Sequence, residues 1–112
     1  KLVTITRSDL KTNGYIVPQT SHAIADFAFE HTEIFKRWKS ESNSIICLSA
    51  KSEEHLLKLY EKYSQVTSIV KFFEPDVNEF TSICLYADHK IRKSLSNLPL
   101  TLKNNNTYEK SI

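Results

Sequence analysis

The sequence holds one glycine and no methionine in 112 residues. So little glycine leaves almost no material for the loops whose bare backbone cradles phosphate groups. There are only two cysteines, Cys47 and Cys84, and both sit inside apolar runs where a free thiol behaves as a small hydrophobe. Neither has a cysteine or histidine nearby at ligand spacing, and the histidines are scattered, so no metal site and no disulfide is expected. No run approaches the ~20 apolar residues that a membrane span needs, and the first residues lack the apolar core of a signal peptide. A cytoplasmic protein is the expectation. The formal net charge of +2 is too small to indicate nucleic-acid binding by itself.

What is present suits a single domain. An apolar share of 40% and a charged share of 25% are ordinary for a globular chain of this size. Residues 2–7 alternate β-branched and polar positions and read as a strand. Pro18 suits the first turn of a helix, and Ala23, Ile24, Phe27, Ala28 and His31 follow at helical spacing as a buried stripe. A second helix is read over residues 33–39, ended at Asn43. Residues 44–49 form a short apolar run, which predicts a strand covered on both faces. Ser52 is a helix N-cap with Glu53 and Glu54 complementing the dipole, and Leu56, Leu59, Tyr60 and Tyr63 supply that helix's core side.

Residues 68–73 and 81–86 read as two further strands. The segment between them is too short for a parallel crossover, so they pair antiparallel, whereas the helix-separated strands earlier in the chain favour parallel pairing. The expectation is an α/β single domain over residues 1–99, with a mixed four-stranded sheet and helices on both faces. A short helix spans residues 88–95, and residues 100–112 are read as a flexible tail.

Polar, chemically capable groups gather at the first strand-to-helix junction: Arg7, Asp9, Lys11, Gly14, Tyr15, Gln19 and His22. Junctions of this kind are where α/β domains commonly place ligand sites. Gln19 lies three residues before His22, so the two side chains share a helix face, and Asp26 follows His22 by one turn. Lys71 shares its strand face with Ile69 and Phe73, while Glu74 shares the other with Val70 and Phe72, so Lys71 points away from Glu74.

These residues carry a family resemblance. Arg7-x-Asp9-Leu10, Gly14 and Gln19-x-x-His22-Ala23 resemble the N-terminal signature of type II peptidyl-tRNA hydrolases. Phe73-Glu74-Pro75-Asp76 and Thr81-Ser82-Ile83 are similar to a later pattern of that family's bacterial and bacteriophage branches. The resemblance implies hydrolysis of the ester that joins a peptide to the 3′ ribose of tRNA, without a cofactor. It implies His22, Glu74, Gln19 and Thr81 as catalytic residues, with Arg7, Asp9, Lys11, Gly14 and Tyr15 binding substrate. Such chemistry needs a group to activate water, and histidine is suited to this near neutral pH, together with donors for the oxyanion. Arg7, Lys11, Lys36, Arg37 and Lys39 are candidate phosphate contacts to tRNA. The family's relatives form dimers, which leaves a homodimer open. Tyr15 stands where the family carries lysine, and the alternative reading is a weakened or inactive member that binds tRNA or protein without hydrolysis.

Overall fold

The computed structural model describes residues 1–103. Four strands form one mixed sheet: β1 (Leu2–Arg7), β2 (Ile45–Ala50), β3 (Ile69–Glu74) and β4 (Glu79–Tyr86), in the spatial order β2-β1-β4-β3. β1 pairs parallel with β2 and antiparallel with β4, and β3 pairs antiparallel with β4. The helices are α1 (Asn13–Glu30), α2 (Thr32–Glu41), α3 (Glu53–Ser64) and α4 (His89–Ser94). The α/β class, the mixed sheet and the helices on both faces are as the sequence indicates.

Side-chain alternation divides the core in two. Leu2, Val70 and Cys84 on one sheet face pack with Ala23, Phe27 and Trp38 of α1 and α2. Val3, Ile5, Ile83 and Leu85 on the other pack with Leu56 and Tyr63 of α3 and with Leu95 just beyond α4. β1 is buried along its whole length because it lies inside the sheet with helices over both faces.

Three expectations need correcting. α1 begins at Asn13, not at Pro18, because Thr12 caps it by accepting a hydrogen bond from the Tyr15 N–H at 3.2 Å. Pro18 therefore sits inside the helix, where its missing N–H leaves the Gly14 carbonyl without its usual donor. β2, expected to be covered on both faces, is the sheet's edge and is covered only in part: its first residue, Ile45, is exposed. Finally, Leu100 and Thr101, assigned to the tail, run along that edge: the Ser49 N–H donates to the Pro99 carbonyl and the Thr101 N–H to the Cys47 carbonyl. This short cover occupies backbone groups that an open edge would present to other chains. The rest of the expected tail, residues 104–112, lies outside the described residues.

Candidate active site

One face of α1 carries Tyr15, Gln19, His22 and Asp26 at helical spacing, and it lies against β3. The two elements match residue by residue. The His22 ring stacks on Phe72 with centroids 4.6 Å apart and planes 17° from parallel. One turn back, the Gln19 amide nitrogen donates to Glu74 Oε1 at 2.9 Å. A further turn back, the Tyr15 phenol is under the electrostatic influence of Glu74 and Asp76.

Gln19 is the hub. Its amide oxygen accepts from the Thr81 hydroxyl at 2.7 Å while its nitrogen holds Glu74. Gln19 is 1% exposed and Thr81 is fully buried. Gln19, implied above as a catalytic residue, has both ends of its amide engaged inside the protein. Gln19 and Thr81 fix the Glu74 carboxylate, and His22 lies exposed on the same helix face.

Thr81 reaches Gln19 because of an irregularity in the sheet. Phe72 pairs with Ser82 but Phe73 pairs with Phe80, so Thr81 is an extra residue on β4, a β-bulge. Strict alternation would put Thr81 with Ile83 and Leu85 on the α3 face. The bulge turns it toward α1, beside Ser82, whose hydroxyl lies 2.7 Å from that of Thr6. Thr6 in turn meets the Thr20 hydroxyl at 2.7 Å. The sequence reading missed this string of hydroxyls, and no spacing rule marks it.

Glu74 is held as a carboxylate. Its pKa is lowered first by the Gln19 hydrogen bond, then by the Asp76 N–H at 3.2 Å; burial opposes the shift, and proximity to His22 adds to it. A carboxylate so stabilised is a weak proton acceptor and a strong source of negative potential. Desolvation and the negative charges of Glu74 and Asp76 raise the Tyr15 pKa, so the phenol stays a neutral donor. Its hydroxyl is buried with no hydrogen-bond partner among the described residues. No hydrogen bond or ion pair joins His22 to Asp26 or Glu74 among those residues, so Asp26 does not orient the imidazole directly. Nor does any group of three or more His, Cys, Asp or Glu among them have a metal-binding arrangement.

The substrate-binding expectations divide. Asp9 and Arg7 form a two-pronged ion pair, Nε to Oδ1 at 2.9 Å and Nη2 to Oδ2 at 3.0 Å. Arg7 Nη1 also donates to Glu79 at 2.9 Å and to the Phe80 carbonyl at 3.1 Å. The Arg7 side chain is only 8% exposed. It is therefore tied into the sheet end rather than extended toward phosphate. Lys11 lies exposed in the connection before α1. Gly14 is the second helical residue, with a negative φ and room for a Cβ, which would approach only Thr12 Oγ1, at 3.9 Å. As expected from alternation, Lys71 points to the opposite face, its ammonium 4.7 Å from the Tyr60 ring centre and 4.6 Å from that of Phe80.

The family model described as peptidyl-tRNA hydrolase PTH2 matches residues 1–99. The chain belongs to the PTH2 family. The match takes in all four strands and all four helices, and with them every residue of the Tyr15, Gln19, His22, Glu74 and Thr81 constellation. No curated protein matches the chain. No described helix is long and apolar enough to cross a membrane.

Proposed function

We propose that this PTH2 member hydrolyses the ester of peptidyl-tRNA at the α1–β3 face, releasing peptide and free tRNA. The observation that carries the reading is the buried relay from Thr81 through Gln19 to Glu74, which fixes an ionised carboxylate beside the stacked His22 in a chain of that family. His22 takes a proton from the attacking water. Glu74, too stabilised to be the base, favours the imidazolium that forms. The Tyr15 hydroxyl, buried and without a partner among the described residues, would have to turn outward to donate to the oxyanion of the tetrahedral intermediate, and the proton on His22 passes to the departing ribose 3′ oxygen.

The reading needs no cofactor, since every group it uses is a side chain of this chain. The exposed cations of α2, Lys36, Arg37 and Lys39, lie on the same side of the sheet as the site and are suited to the phosphates of tRNA. The test is release of free tRNA from an N-acetylated aminoacyl-tRNA. Wild-type protein should turn over many times, and His22→Ala should lower kcat by about 10²-fold or more, in the range for loss of a general base. Full activity in the His22 variant would reject the assignment.

A further inference from the structure

The bulge that presents Thr81 is held from the face of the sheet opposite the site. Phe80 still pairs with Phe73 across the shifted register, but the β1–β4 pairing ends at Ser82, and beyond it side chains take up the Phe80 backbone groups. The Phe80 N–H donates to Glu53 Oε2 at 2.9 Å, and the Phe80 carbonyl accepts from Arg7 Nη1 at 3.1 Å. Glu53 is the first residue of α3 and Arg7 the last of β1, so two elements grip the two peptide units that flank Phe80, the residue beside the register shift. Arg7 is itself braced by Asp9 and Glu79.

We infer that Glu53 and Arg7 are positioning residues for the hydrolytic site, acting through Phe80 to keep the bulge, and through the bulge to keep Thr81 on Gln19 and Gln19 on Glu74. The inference rests on the proposed function for its catalytic consequence only; the mechanical part stands on the hydrogen bonds. A sheet register that loses its bulge moves side chains to the other face, because strand alternation has period two. Thr81 would then turn toward α3, and the Gln19 amide oxygen would lose its donor inside the protein. Glu74 would keep its place on β3 but lose the orientation of the amide that holds it.

Two neighbouring glutamates separate this role from the general worth of acidic residues at a helix start. Glu53 and Glu54 both lie in the first turn of α3 and both favour its dipole. Only Glu53 reaches Phe80; Glu54 pairs with Lys58 at 3.2 Å on the surface. The experiment compares Glu53→Ala, Glu53→Gln and Glu54→Ala in the full chain by amide hydrogen exchange and by steady-state hydrolysis of the N-acetylated aminoacyl-tRNA.

Glu53→Ala should speed exchange at the Phe80 amide and lower kcat about tenfold to a hundredfold, with KM within about twofold, as expected for a displacement remote from the chemistry. Glu53→Gln keeps an acceptor oxygen and should restore both readouts, and Glu54→Ala should change neither. Equal behaviour of Glu53→Ala and Glu54→Ala in both readouts overturns the inference. If wild-type protein hydrolyses nothing, the proposed function falls instead. Exchange at Phe80 then decides the clamp alone, supporting it if only Glu53→Ala accelerates exchange and overturning it otherwise.

Discussion

Replacing Thr81 by valine keeps the shape of the side chain and deletes one hydroxyl. The Gln19 amide oxygen, inside a residue that is 1% exposed, then has neither water nor a protein donor. A buried polar atom stranded in this way costs about 1–3 kcal/mol, more than the ~1 kcal/mol net worth of the bond itself. With a urea m value of about 1–3 kcal/mol per molar for a small domain, the midpoint should fall by about 1 M. Thr81→Ser retains the hydroxyl and loses one methyl, worth about 0.8 kcal/mol, and should lose less. Gln19→Leu strands the Thr81 hydroxyl in the same manner. The Gln19→Leu/Thr81→Val double variant strands neither partner of that bond and should therefore be more stable than the sum of the single effects predicts, by about 1 kcal/mol. Equilibrium urea unfolding followed by circular dichroism measures all four. A Thr81→Val cost below about 0.5 kcal/mol, or strict additivity in the cycle, would refute a buried bond between these two residues.

Two other outcomes follow from the burial and charge of single groups. Cys84 is fully buried and its thiol is pushed up to about 12, chiefly by desolvation, whereas Cys47 is half-buried on the edge strand. An aromatic disulfide reagent at pH 8 should titrate one thiol in the folded protein and the second only on unfolding; rapid reaction of both would contradict the packing of β4. Glu74 has a folded pKa below its unfolded value near ~4.3, so its stabilising contribution is complete above that value and is lost as pH falls through the folded pKa. A carboxyl-carbon NMR titration should place Glu74 below an ordinary glutamate, and Gln19→Leu should move it back up; an unshifted Glu74 in the wild type would argue against the hydrogen bond.

Much of the fold was legible because the signals were local. Alternating β-branched residues located β1, the short gap between β3 and β4 required an antiparallel pair, and Ser52 marked the start of α3. Period-two reasoning also sent Lys71 and Glu74 to opposite faces. Pro18 misled because proline usually marks a helix start, yet the Thr12 cap lies six residues earlier. The cover over the β2 edge by Leu100 and Thr101 is a tertiary contact with no local signature.

The candidate site's residues could be named from the sequence, but not the wiring between them. Helical spacing put Gln19 and His22 on one face and the family pattern added Glu74 and Thr81, yet alternation alone would have turned Thr81 away. Only the bulge reconciles them, and it depends on Glu53 and Arg7, which reach Phe80 from far along the chain. Arg7 read as a phosphate contact because tRNA binding depends chiefly on the charge of its backbone. Here Asp9 already neutralises it, and Glu79, distant in sequence, takes up a further donor.

The central claim is that an ionised Glu74, held by Gln19, drives ester hydrolysis at His22. Glu74→Gln keeps the shape, removes the charge and leaves one oxygen to accept from Gln19 or Asp76 in place of two, so kcat for release of tRNA from N-acetylated aminoacyl-tRNA reads the loss of the held carboxylate. The account predicts a fall of about 10²-fold or more with the protein still folded; a kcat equal to that of the wild type would contradict it.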